Sequence, residues 1–215
     1  MRTKIWKRPA LAALAPLIAA MTLAPGARAA QKPFHISGVE AVGKKDWAPK
    51  ETLTGTQQGV TFSIRYLEPE AAREVVAAAL GRDPKLLHAR AGDMDPGHLA
   101  FVVQIDNATD QQVRFNPAEA WLYTDKGDTK IPLDYSALYM LGQRLGPAAP
   151  STDEVASVFF DQEAMIQPGG SVRKILAYEA PREDKFKTFE IRVVEVSVGS
   201  EPIGFSFPFR KFYED

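Results

Sequence analysis

The sequence predicts an all-β fold, an antiparallel β-sandwich with short helical insertions. Segments of strand length recur along the chain, and they either alternate apolar and polar residues or are apolar throughout. Turns rich in Asn, Asp, Gly and Pro separate most of these segments, where a βαβ fold would have regular crossover helices. The composition is typical of a globular protein, with 45% hydrophobic and 25% charged residues in a chain of 215. We therefore expect seven or eight strands in two packed sheets.

Residues 1–30 have the pattern of a secretory signal peptide. Four basic residues lie near the start, and an apolar run of about 14 residues follows from Ala10 to Leu23. Ala27-Arg28-Ala29 then places small residues at the two positions that a signal peptidase reads. The apolar run is shorter than the roughly 20 residues of a membrane-spanning helix, although an uncleaved anchor is the alternative. We expect cleavage near Ala29 or Ala30, export to the periplasm or the extracellular space, and no membrane insertion afterwards.

The charge of the exported chain excludes some classes of partner. The signal segment carries five basic residues and no acidic one, so its removal leaves 21 basic and 27 acidic residues. This net negative charge disfavours nucleic acids and anionic membrane surfaces as partners. The chain has no cysteine, which excludes disulfides, thiol catalysis, zinc–thiolate sites and iron–sulfur clusters. The fold must therefore be stabilised by its core alone.

The exported chain begins with weak patterns that become clear from Val60 onward. Residues 31–59 are predicted to form an extended N-terminal segment with Phe34, Ile36 and Val39 as docking residues. Residues 60–215 are predicted to form the sandwich domain, and Val60 to Tyr66 alternates like a half-buried strand. A helix is expected to begin at Pro69, because proline suits a first helical turn, and to end at Gly81.

The segment from Leu99 to Ile105 is predicted to be the central strand. It is apolar at nearly every position, as in strands that are buried on both faces. Phe101, Val103 and Ile105 are expected to share one face, opposite Val102. Further strands are predicted at Val113–Phe115, Ala120–Tyr123, Val172–Tyr178 and Thr188–Val198, and in a last strand where Phe205, Phe207 and Phe209 alternate toward the core. Phe212 and Tyr213 are expected to lie beyond that strand and to be exposed.

Residues 134–162 are predicted to be a helical insertion at the end of the sandwich. Tyr135 to Leu141 has the pattern of a short helix, and Ser151 with Glu154 forms a capping-box pattern before a second helix. A hairpin between neighbouring strands needs only about 2–5 residues, so the sandwich does not require this insertion. Part of its apolar surface is expected to dock on the sandwich and part to meet a partner; the alternative is that the insertion only caps an open end of the core. The apolar residues of the insertion include Tyr135, Tyr139, Met140, Phe159 and Phe160.

Several strand and turn motifs resemble a known architecture. Phe101-Val-Val-Gln-Ile-Asp-Asn107, Val113-x-Phe115-Asn-Pro117 and Pro168-Gly-Gly-Ser-Val172 resemble the immunoglobulin-like β-sandwich of exported bacterial proteins of unknown function. The similarity spans about Val60 to Phe209. The resemblance implies a fold and transfers no catalytic or binding residue, because these motifs consist of strand and turn residues.

One loop has the side chains of a metal site. Within eleven residues of the sequence the loop contains His88, Asp93, Met94, Asp95 and His98. Their imidazole, thioether and carboxylate groups are ligands that copper and zinc bind. The alternative is an ordinary polar loop, because the spacing fixes no coordination geometry. Periplasmic copper or zinc binding is therefore the second functional hypothesis, and no metal ligand or cofactor is assigned.

Catalytic motifs do not assemble in the sequence. There is no G-x-S-x-G elbow, and neither Ser63 nor Ser171 has a histidine nearby. The acidic pairs Glu68/Glu70 and Asp153/Glu154 stand at predicted helix starts, where acids favour the helix dipole. The triplet Asn107-Ala108-Thr109 matches a glycosylation sequon, but the match is uninformative in a chain with a bacterial type of export signal. We therefore predict a non-catalytic exported binding or accessory module of the bacterial cell envelope, with another envelope protein as partner.

Overall fold

Two antiparallel sheets packed face to face form the body of the protein in the computed structural model. The structure describes residues 34–41, 47–83, 87, 97–143, 149–181 and 186–213. The predicted all-β sandwich with short helices is confirmed. The signal-peptide prediction falls on residues outside these ranges. None of the described helices is long and apolar enough to cross a membrane.

The larger sheet is built around the two longest strands of the chain. Its main path, in spatial order, consists of β2 (Trp47–Lys50), β1 (Phe34–Ala41), β12 (Glu201–Tyr213), β11 (Thr188–Val198), β6 (Val113–Phe115) and β9 (Ala164–Ile166). One edge of β11 pairs with β12, and a β-bulge in β11 lies between Val193 and Val196. On its other edge, β11 pairs with β7 (Ala120–Thr124) before the bulge and with β6 after it. β7 also pairs with β8 (Thr129–Lys130).

The smaller sheet has the predicted central strand at its middle. Its order is β10 (Ser171–Glu179), β5 (His98–Asn107), β4 (Val60–Leu67) and β3 (Leu53–Gln57). Phe101, Val103 and Ile105 of β5 are buried against the larger sheet, where the core also contains Phe205, Phe207 and Phe209. Val102 is buried on the opposite face in a second apolar cluster. The prediction that β5 is buried on both faces is confirmed.

Three helices cover the outer face of the smaller sheet. They are α1 (Pro69–Leu80), α2 (Tyr135–Gln143) and α3 (Thr152–Val158). The placement of the insertion at the end of the sandwich was wrong. This outer face is apolar because it carries Val102 of β5 and Ile175 and Ala177 of β10. The helices bury it with apolar side chains of their own, such as Leu138 of α2 and Val155 of α3.

The predicted helix ends have the expected chemistry. Pro69 is the first residue of α1, and Gly81 follows the helix with a φ of 66°, in the left-handed region that glycine adopts without strain. At α3, the Ser151 hydroxyl accepts a hydrogen bond from the Glu154 amide at 3.3 Å, and the Glu154 carboxylate accepts one from the Ser151 amide at 2.7 Å. This is the complete capping box that the sequence predicts.

The described part of the chain contains twelve strands, more than the seven or eight expected. Three of the additional ones come from the predicted extended segment 31–59, where β1 and β2 join the larger sheet and β3 joins the smaller one. The sandwich therefore begins before Val60. The last strand also continues through Tyr213, so Phe212 is a half-buried strand residue and only Tyr213 is exposed.

Candidate functional site

The predicted metal loop lies mostly outside the described residues. This holds for His88, Met94, Asp93 and Asp95, whereas His98 is the half-buried first residue of β5. In the ranges that the structure describes, no group of three or more His, Cys, Asp or Glu side chains is arranged to hold a metal ion. The copper or zinc hypothesis stays a prediction, and calorimetric titration of the protein with each metal tests it.

The acidic pairs lie at helix starts, but only Glu154 makes a capping bond there, whereas the Glu68 carboxylate bonds the Ile36 amide of β1. Burial raises the pKa of the Glu68 carboxyl, while the Ile36 amide bonded to it at 3.4 Å and the nearby His35 oppose the rise. The Ser151 amide and Arg82, whose guanidinium lies 2.8 Å from the carboxylate, hold the pKa of Glu154 below its usual value. Both acids are thus bound to neighbouring structural groups.

Asn107, the first residue of the sequon, is a buried structural anchor. Its side chain is only 2% exposed, and Nδ2 lies 2.8 to 3.1 Å from the carbonyl oxygens of Gln111, Ile166 and Gln167. Its Oδ1 accepts hydrogen bonds from the amide and the hydroxyl of Thr109 at 2.9 and 2.7 Å. The side chain ties the end of β5 to the turn after β9, so in the folded protein it is not accessible for glycan attachment.

We expect Asn107→Ala to lower the free energy of unfolding by more than about 2 kcal/mol, because it leaves several carbonyl groups without their donor in a buried place. Urea unfolding of the variant measures the loss. The matched control is Asn116→Ala, since Asn116 is exposed and its side chain accepts one bond, from the Ala118 amide at 3.1 Å. The control should lose about 1 kcal/mol. Equal losses in the two variants would contradict the anchoring role.

The main candidate site is a trough on the outer face of the larger sheet. In β11 and β12 the residues that alternate with core residues point away from the core, and they include Glu190, Arg192, Pro208 and Arg210. Together with Trp47 of β2 and Tyr123 of β7, these residues line an open cavity of about 510 Å³. We call this cavity the aromatic trough.

Aromatic rings with solvent-exposed surface line the trough or lie directly beside it. Trp47 is 44% exposed, and Tyr123 is partly exposed. Trp121, two residues before Tyr123 on the same face of β7, stacks on the Tyr123 ring with centroids 6.0 Å apart and an angle of 27° between the planes. The Arg192 guanidinium lies over the Tyr123 ring, 5.0 Å from the ring centroid. The trough thus presents apolar ring surface that is held in place by its neighbours.

Charged groups are fixed beside these rings. Arg192 donates to the Glu190 carboxylate, with Nη2 and Nε at 2.6 and 2.7 Å, and the Ser206 hydroxyl also donates to Glu190. Burial alone would raise the pKa of Glu190, but these bonds outweigh it and hold the pKa below its usual value. Asp125, at the end of the trough, accepts a bond from the Lys187 amide at 3.0 Å. The Glu190 carboxylate is therefore an oriented, ionised hydrogen-bond acceptor at neutral pH.

The helical insertion exposes a second, smaller apolar surface. Tyr139 and Met140 of α2 are 43% and 59% exposed, and the Tyr135 and Tyr139 rings stack with centroids 6.0 Å apart. Leu138, in contrast, is buried against the smaller sheet. Part of the insertion therefore docks on the sandwich and part faces outward, as the sequence predicts.

The sequence did not indicate the trough. Its residues lie on strands that are far apart along the chain, and their meeting depends on the order β2-β1-β12-β11 and on the pairing of β7 with β11. Trp47 also falls in the segment with the weakest periodicity. The only available signal was a set of aromatic and arginine residues at positions that alternate with core residues, such as Tyr123 and Arg192.

Comparisons with known proteins assign no family to the chain. No protein-family model matches the sequence, and no curated protein matches it. Among solved structures, the chain is similar to the crystal structure of the yjhA protein from Bacillus subtilis, with 11% sequence identity and a TM-score of 0.36. The match covers 65% of this chain and 76% of that one. A likeness of this size carries no argument about function.

Proposed function

We propose that the protein is a non-catalytic exported binding module of the bacterial cell envelope, built on an immunoglobulin-like sandwich, and that it binds its ligand in the aromatic trough. The observation that carries the proposal is the set of exposed rings, Trp47 and Tyr123, in one cavity with the oriented Glu190–Arg192 pair. Export is supported by the signal-peptide pattern of residues 1–30.

The position of these side chains on a sheet favours recognition. From Phe189 to Val193, β11 pairs without interruption with β7 on one side and β12 on the other, so the backbone positions of Tyr123, Glu190 and Arg192 are fixed relative to one another. Aromatic side chains bring a large apolar area and lose little conformational entropy when a ligand covers them. The two oxygens of Glu190 accept bonds from Arg192 and Ser206, which suits the carboxylate to holding a ligand and makes it a poor proton donor at neutral pH.

The test compares the native chain with a Trp47→Ala/Tyr123→Ala double variant. Each protein is immobilised and exposed to solubilised cell envelope of the native host, and retained proteins and glycans are identified by mass spectrometry. We expect a component that the native protein retains and the double variant loses. Tyr139→Ala is the matched control, because it removes an equally exposed aromatic ring from α2, away from the larger sheet.

The double variant should keep the thermal unfolding midpoint of the native protein within a few degrees, since neither Trp47 nor Tyr123 belongs to the core between the sheets. Retention of the same components by native protein and double variant would contradict the proposal.

A further inference from the structure

We propose that the ligand of the aromatic trough is a neutral oligosaccharide. This inference rests on the proposed function, whose site it uses, and it names the chemical class of the ligand. A protein ligand, which the sequence analysis predicts, is the alternative that the experiment below distinguishes from a saccharide.

The apolar part of the trough fits sugar rings. A pyranose ring carries C–H groups on its faces, and these pack against the face of an aromatic ring. Trp47 on β2 and Tyr123 on β7 are separated by four strand spacings in the sheet order, roughly 19 Å. Two aromatic rings at that separation suit a chain of several sugars better than a single one. Pro208 and Val39 line the cavity on the strands between them.

The polar part of the trough suits a ligand that both donates and accepts hydrogen bonds. Arg192 and Arg210 offer only donors, whereas Glu190 and Asp125 offer only acceptors. Each sugar hydroxyl donates and accepts, so a saccharide satisfies both kinds of group. A proline-rich peptide also docks on aromatic grooves, but its prolines have no N–H group. Such a peptide therefore offers the two carboxylates fewer donors than a saccharide does.

The charges of the trough favour a neutral ligand. The cavity is lined by two arginines and two carboxylates, so these groups sum to zero net charge. Nucleic acids and acidic polysaccharides bind surfaces with an excess of positive charge, and their affinity falls steeply with salt. A balanced trough instead predicts an affinity that salt hardly changes.

The experiment titrates the protein, purified from its native host, with cellohexaose and with chitohexaose, which are neutral chains of hexose and of N-acetylhexosamine. Calorimetry measures affinity, and the difference in tryptophan fluorescence between the native protein and Trp47→Ala, in which Trp121 remains, reports burial of Trp47. We expect at least one of the two to bind, with a Kd at or below about 1 mM. Trp47→Ala and Tyr123→Ala should each weaken binding at least about tenfold, or about 1.4 kcal/mol. Tyr139→Ala should bind as the native protein does.

Glu190→Gln probes the polar contacts separately, because it keeps the shape of the side chain and removes its charge. We expect severalfold weaker binding, since the amide accepts fewer bonds than the carboxylate. Arg173→Gln on β10 is the matched charge-removal control on the other sheet and should leave affinity unchanged.

The outcomes separate the ligand class from the site. If neither oligosaccharide binds, while the native protein retains an envelope protein that the double variant loses, the saccharide proposal is overturned and the proposed function stands. Tight binding of an oligogalacturonate that weakens as salt is raised overturns the neutral ligand. Binding of a hexaose that persists in both aromatic variants places the sugar elsewhere and overturns the trough as its site.

Discussion

Phe101→Ala is expected to lower the free energy of unfolding by about 3–5 kcal/mol, the usual cost of emptying a buried phenylalanine site. Phe101 is fully buried in β5, between the two sheets. Its ring centroid lies 5.1 Å from that of Phe209, 5.5 Å from Tyr66, 5.8 Å from Tyr178 and 6.0 Å from Phe189. The substitution therefore removes contacts on both sheets at once.

Chemical denaturation monitored by circular dichroism measures this loss. Phe101→Leu, which keeps most of the apolar volume, should lose less than Phe101→Ala. Tyr139→Ala, on the exposed side of α2, should change the free energy by no more than about 0.5 kcal/mol. An unchanged melting temperature for Phe101→Ala would show that β5 is not the central strand of the core.

The parts of the fold that the sequence predicted are those with strong local patterns. β5 is apolar on both faces, and Phe205, Phe207 and Phe209 alternate without interruption, so burial could be assigned residue by residue. The ends of α1 and α3 followed from Pro69, Gly81 and the capping box, because these residues act on their own neighbours along the chain. Local chemistry of this kind is readable without knowledge of the sheet order.

The parts that the sequence missed depend on contacts between distant segments. The hydrophobic periodicity of the first three strands is weak because each contains a glycine or a proline: Gly38 in β1, Pro49 in β2 and Gly55 in β3. β2 and β3 are also edge strands. Pairing with neighbouring strands nevertheless makes all three segments β-strands. The helices cover the smaller sheet because β10 and β5 together leave an apolar outer face, which neither strand shows alone. The aromatic trough needs five strands in a particular order, and no local pattern contains that order.

Replacement of residues 134–162 by a short Gly-Ser linker is expected to abolish cooperative folding. The segment contributes Leu138, Val155, Val158 and Phe159 to the cluster on the outer face of the smaller sheet, and Phe160 to the core between the sheets. Each of these buried side chains contributes roughly 1.5–3 kcal/mol. Their joint loss approaches the entire net stability of a domain, about 5–15 kcal/mol. The structure thus favours a role for the insertion as a cover of the smaller sheet.

Thermal unfolding and binding of a hydrophobic dye measure this outcome, and we expect no sharp transition and strong dye binding for the linker variant. The control keeps both helices and replaces only exposed side chains, as Tyr139→Ser/Met140→Ser. That variant should fold like the native protein, because its substituted residues lie on the outward side of α2, whereas Leu138 beside them is buried. A linker variant that folds with unchanged stability would contradict the covering role. Folded protein that loses its envelope ligand in the serine variant, with the trough intact, would instead assign ligand binding to the helical surface.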